Sequence, residues 1–195
     1  MLIEDENVYP DCTVEIRRVD IGGLTKPQLI QKLDEYSISL NKYGEQLLND
    51  ERFVVSSTKQ SLQTVELTVR QLGFSDSATT FELFRRANDL GLECCPVELG
   101  PYLRLQYLDQ PEICSTNISE GNKAPSGSIT IASEAFTEDN DFPKGFYLRR
   151  INDTLWLRGY LADHLHIWSP HDRFIFCRAQ LLLYEDQEDI LKGKE

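Results

Sequence analysis

The chain has 195 residues, 41% hydrophobic and 27% charged, the composition of a folded globular protein and not of a disordered one. Its formal net charge of −12, from 32 acidic against 20 basic side chains, repels nucleic acid and anionic lipid, so neither is an expected partner. No apolar run approaches the roughly 20 residues that span a bilayer, and the acidic start Met1-Leu2-Ile3-Glu4-Asp5-Glu6 lacks the basic and apolar segments of a secretory signal; a soluble, cytoplasmic protein is expected.

The N-terminal half repeats itself. Thr13-Val14-Glu15-Ile16 recurs as Thr64-Val65-Glu66-Leu67, and Ile21-Gly22 as Leu72-Gly73. After a three-residue insertion in the second copy, Thr25 matches Thr79, Gln28 matches Glu82, Leu29 matches Leu83, Ile38 matches Leu92 and Phe53 matches Tyr107. Thr25-x-x-Gln28 and Thr79-x-x-Glu82 are both capping boxes, in which the threonine hydroxyl accepts from a first-turn amide and the Gln or Glu reaches back to the cap's own N–H. Alternation from Thr64 to Arg70 predicts a strand, and Leu29, Leu33 and Tyr36, like Leu83, Ala87 and Leu90, recur at helical spacing. Gly91 is placed to end the second helix. A second short helix is expected in each copy, over about 42–48 behind Asn41 and from Pro96 to Gly100, where Pro101 should stop it. Leu103, Leu105 and Tyr107 then alternate as a strand. The predicted unit is strand–helix–helix–strand, present twice, over 13–53 and 64–107, within a duplicated region spanning 1–114.

Residues 115–128 are rich in Ser, Asn, Gly and Pro and read as a loop or linker. Residues 129–195 read as an antiparallel β-rich region: a strand at 128–132, an acidic loop at 134–144, a hairpin of 146–151 with 154–161 turned by Asn152-Asp153, and an apolar strand over 173–183 before a charged tail. The fold class is therefore α+β.

The segment from Leu90 to Tyr107, Leu-Gly-Leu-Glu-Cys-Cys-Pro-Val-Glu-Leu-Gly-Pro-Tyr-Leu-Arg-Leu-Gln-Tyr, resembles one in a family of uncharacterised bacterial proteins. So do Trp156-Leu157 and Trp168-Ser169-Pro170 ahead of Arg173-Phe174-Ile175-Phe176. Members of that family sometimes carry an automatic helicase label. The resemblance implies no transferable activity, and the chain has no G-x-x-x-x-G-K-[ST] loop; Gly121-Asn122-Lys123 lacks the preceding glycines.

Candidate chemistry is sparse. His164, His166 and His171, with Asp163 and Asp172 nearby, are the candidate metal ligands; His164 and His166 would share a strand face, but the spacing matches no standard zinc pattern. The cysteines are Cys12, Cys94, Cys95, Cys114 and Cys177, with no C-x-x-C pair, and reduced, mostly buried thiols are expected. The sequons at Asn117 and Asn152 read as chance matches. Glu134, Glu138, Asp139 and Asp141 do not fit an EF-hand loop. The pairs Arg85-Arg86 and Arg149-Arg150, with Arg104, Arg158, Arg173 and Arg178, would make an anion pocket if they converged. Arg104, Arg158, Trp156 and Trp168 are the candidate ligand-binding residues. No cofactor motif is present and no cofactor is expected. The preferred reading is a non-enzymatic binding protein for a protein partner or a small anionic ligand, with its site where the duplicated half meets the β region. The alternative is an enzyme built around the His164–His171 loop and the arginines.

Overall fold

The computed structural model describes residues 8–112 and 124–178. The first stretch runs β1 (Glu15–Ile21), α1 (Lys26–Glu35), β2 (Ser39–Leu40) and α2 (Lys42–Asn49). The second runs β3 (Gln60–Thr68), a 3-10 turn at Arg70–Leu72, β4 (Ala78–Thr79), α3 (Thr80–Asp89), β5 (Leu92–Glu93) and α4 (Leu99–Gln106). Both capping boxes form. Thr25 N donates to Gln28 Oε1 at 2.9 Å and Thr79 N to Glu82 Oε2 at 2.8 Å, while each threonine hydroxyl accepts from the amide three residues on. Gly91 follows α3 at φ 74°, beyond the reach of most side chains, as a helix stop requires.

Neither stretch closes with the expected strand. The chain at Phe53 is irregular, and residues 103–107 belong to α4 and its C-cap. Pro101 is the third residue of α4, where the amide has no intrahelical acceptor, so its missing N–H costs nothing. It starts the helix that it was expected to stop. Leu99, Tyr102 and Leu103 then share a buried helical face at spacings of three and four. Leu103 and Tyr107, four apart, share that face, while Leu105 lies away from it and is half-buried; α4 is covered on most sides, so its apolar residues alternate as a strand's would.

The C-terminal stretch contributes β6 (Ile129–Ile131), β7 (Gly145–Ile151), β8 (Thr154–Tyr160), β9 (Ile167–Trp168) and β10 (Arg173–Arg178). β7 and β8 form the expected hairpin, with Asn152 and Asp153 at φ 49° and 60°, the left-handed pair that a two-residue turn needs. The remainder of the apolar run after Arg178, the charged tail, most of the linker, Cys114 and the Asn117 sequon lie outside the described residues.

The fold is mixed α and β, mostly β. One sheet takes strands from the whole chain in the order β1-β3-β10-β6-β7-β8-β2, with β5 also paired to β10. It is mixed, which corrects the expected antiparallel region: β10 is parallel to β6, and β2 is parallel to β8. The reason lies in β10. Phe174 and Phe176 enter one hydrophobic cluster and Ile175 enters another on the opposite face, so this strand must be central and covered on both sides. α3 covers the face of Phe174 and Phe176, and α1, α2 and α4 cover the face of Ile175. β4 and β9 form a separate two-stranded ladder. No helix among the described residues is long and apolar enough to cross a membrane.

Candidate ligand-binding cleft

The β4–β9 ladder pairs Ala78 with Trp168 and Thr79 with Ile167, and it carries on into the helix. Thr80 N donates to His166 O at 3.0 Å and Phe81 N to His164 O at 3.1 Å. These two first-turn amides of α3 are thus spent on carbonyls, and Glu82 N goes to the Thr79 hydroxyl, so this helix end offers little to an anion. Thr80 Oγ1 donates to Asp163 O at 2.7 Å and accepts from Trp168 Nε1 at 2.8 Å. Residues 163–168 are in this way strapped to α3.

The strap leaves a cavity of about 350 Å³ between α3, the segment after β6, the start of β7 and the end of β8. It lies where the two parts of the chain meet. Thr80, Ser133 and Lys144 are buried and make its floor; Phe84, Tyr160, Ala162 and Asp163 are its half-buried walls. Phe81, Glu134, Ala135, Glu138 and His164 are exposed and form the rim. The polar groups at the floor are unequal. Thr80 is saturated, whereas Ser133 Oγ is buried without a hydrogen-bond partner. Lys144 Nζ donates to Thr137 O at 2.8 Å and Asp139 O at 2.7 Å, and no carboxylate among the described residues pairs with it. Burial pushes the Tyr160 phenol well above its ordinary pKa, so it stays protonated at neutral pH.

Further cavities adjoin, and two bear on the candidate residues. One, of about 180 Å³, lies across Tyr160 and is lined by Ser128, Thr130, Tyr147, His166 and Trp168 among others. The other, of about 850 Å³, is lined by Cys94, Cys95, Pro96, Glu134 and Phe136 among others. Cys94 is no activated nucleophile: burial first, then the charges of Glu134 and Cys177, push its thiol up to about 11. Cys95 and Cys177 are buried, with sulfurs 3.3 Å apart, and both are free thiols. Alkylation of Cys94 in the folded protein by iodoacetamide is therefore expected to be slow at neutral pH and to quicken as pH climbs toward 11, because the thiolate fraction grows with each step. Thiol titration after unfolding, in protein purified without oxidant, should find all five cysteines of the chain. Rapid labelling of Cys94 at neutral pH, or a count of three, would contradict this.

The residues singled out from sequence do not assemble into one site. Trp168 lies beneath the cleft, donating to Thr80, with its ring 4.6 Å from that of His166. Arg104 is in the core, 0% exposed, with its guanidinium on Gln110 Oε1 and Tyr107 O. Arg158 and Trp156 are neighbours on β8, the guanidinium 5.0 Å from the indole centre, and neither lines the cleft. The other arginines form no common anion pocket among the described residues. Arg17 and Arg173 both grip the buried Glu66, Arg86 Nε donates to Leu72 O, Arg149 Nε to Ser126 O, and Arg150 reaches Gln110 O and Asp153. His164 and His166 do not share a strand face, because the chain turns at His164 and enters β9 only at Ile167. His164 and His171 are exposed, and no set of three His, Cys, Asp or Glu among the described residues could hold a metal ion.

Ser133, Lys144, Phe81 and Phe84 were not singled out from the sequence. Lys144 ends an acidic loop and looks like any solvated lysine; only the wrapping of residues 137–139 around its ammonium buries it. Comparison of the chain with models of protein families, with curated proteins and with solved structures finds no match.

Proposed function

We propose that the protein is a non-catalytic binding protein and that its ligand enters the cleft beside α3. The observation that carries this reading is the contrast between a built cavity and floor hydroxyls that no base activates. A volume of about 350 Å³ with aromatic walls and a few polar groups at the floor is of the size and character of a small-molecule site. Yet neither floor hydroxyl has a base: Thr80 Oγ1 donates to a backbone carbonyl and Ser133 Oγ has no partner. The Tyr160 phenol, held protonated by burial, is a poor base as well. The resemblance to an uncharacterised bacterial family adds no activity to this reading. We also read 13–53 and 64–107 as copies of one ancestral unit, supported by their matched capping boxes and element order, with α3 of the second copy forming one side of the cleft.

A fragment screen by NMR on the labelled protein tests the proposal. Binders should shift Thr80, Phe84, Ala135 and Ala162 and should be recovered unchanged after long incubation. Ala135→Trp, on the exposed rim, should close the cleft and abolish those shifts without loss of fold. Shifts confined to another surface, or turnover of a bound fragment, would overturn it.

A further inference from the structure

We infer that the cleft recognises a monocarboxylate on an apolar body, with Lys144 Nζ and Ser133 Oγ as the donors that receive the carboxylate; this rests on the binding reading above. The argument is an account of polar groups. A buried ammonium without a counter-ion is costly, and an unpaired buried hydroxyl costs on the order of 1–3 kcal/mol. Lys144 is 6% exposed and Ser133 4% exposed, and both line the same cavity. An ammonium has three N–H donors. Two of those on Lys144 go to the carbonyls of Thr137 and Asp139, leaving the third without an acceptor and no carboxylate among the described residues within ion-pair distance. The Thr80 hydroxyl proton is already spent on Asp163 O, and the carboxylates that line the cavity, Glu134, Glu138 and Asp163, are acceptors and offer no donor. What remains at the floor is two donors and one cation, which together call for an anionic acceptor. A carboxylate supplies both lone pairs and charge, and charge-assisted bonds of this kind are about twice as strong as neutral ones.

The rest of the cavity sets limits. Phe84 and Ala162 on the walls, with Phe81 and Ala135 at the rim, fit an apolar body. Glu134 and Glu138 at the rim and Asp163 on a wall oppose any anion; one carboxylate offsets this at Lys144, whereas a second has no cation left to meet, so a dicarboxylate is disfavoured. The cavity volume suits a ligand of the size of a phenyl-substituted short acid.

The test compares phenylacetate with its neutral isostere phenylacetamide and with the dicarboxylate phenylmalonate, by NMR titration of the wild-type protein near neutral pH. Phenylacetate should bind roughly tenfold more tightly than the amide, and phenylmalonate more weakly than phenylacetate. Lys144→Met should bring acid and amide to within about twofold of each other, and Ser133→Ala should weaken the acid by a few-fold while leaving the amide less affected. If Lys144→Met does not fold, the wild-type comparison and Ser133→Ala still decide. Equal binding of acid and amide in the cleft would overturn the carboxylate inference and leave the binding reading standing. Failure of all three probes overturns the inference, and failure of the whole fragment screen removes the binding reading with it.

Discussion

Replacing Arg104 with methionine is expected to destabilise the protein by roughly 3 kcal/mol, the effect of breaking a fully buried, hydrogen-bonded charge. The side chain is the largest of the fully buried ones, and burial draws its pKa down only to about 10, so it is cationic at neutral pH. Its guanidinium holds Gln110 Oε1 and Tyr107 O. The Gln110 side-chain amide in turn donates to Gly127 O at 3.2 Å and Leu148 O at 3.5 Å, and the Gln110 backbone carbonyl accepts from Arg150. Arg104 therefore ties the end of α4 to β7 through one glutamine. Methionine fills much of the volume but leaves two buried acceptors unanswered, at about 1–3 kcal/mol each, partly offset by no longer burying a charge. Urea unfolding should show a clear fall in midpoint, while Arg158→Met, on a half-buried side chain, should change it by about 1 kcal/mol or less. A shift for Arg104→Met no larger than that for Arg158→Met would show that the network carries little stability.

Gly159→Ala is expected to cost about 3 kcal/mol or more, because the clash is with backbone that cannot step aside. A Cβ at this position would stand 2.6 Å from the carbonyl carbon of Tyr43 and 2.8 Å from Gly44 N. The two glycines let α2 lie directly on β8, and Asn41 welds the contact. Its Oδ1 caps Gly44 N at 2.8 Å and accepts from Gly159 N at 2.8 Å, while its Nδ2 donates to Gly159 O at 3.1 Å. The side-chain amide so pairs with β8 as a neighbouring strand would. Because Tyr160 follows immediately and walls the cleft, the alanine variant should also disturb the Tyr160 amide resonance and weaken any cleft ligand. Gly91→Ala is the comparator. Nothing lies within 4 Å of its Cβ position, so only the strain of φ 74° remains, on the order of 1 kcal/mol. Equal losses for the two glycines would mean that α2 can lift off β8 at little cost.

The features legible in the sequence are those decided within a few residues. Both capping boxes, the glycine stop after α3, the Asn152-Asp153 hairpin and the strand character of β3, β6 and β10 depend on local hydrogen bonds, local φ or short periodicity, and the chain spells these out. α4 has no such local signature: Leu103, Leu105 and Tyr107 alternate as in a strand, and a proline such as Pro101 is as compatible with the first turn of a helix as with the position after its end. Pairing between distant segments had no local signature. β10 lies between β3 and β6, and β2 beside β8, only because tertiary packing covers both faces of β10 and lets Asn41 reach Gly159. The cleft belongs to the same class. Arg104 carries the more arresting chemistry in the sequence yet is a structural tie, whereas Lys144, plain in the sequence, is buried by two carbonyls of its own loop and left without a counter-ion. Whether a charge is solvated, paired or stranded depends on which remote atoms surround it, and only the tertiary structure decides that.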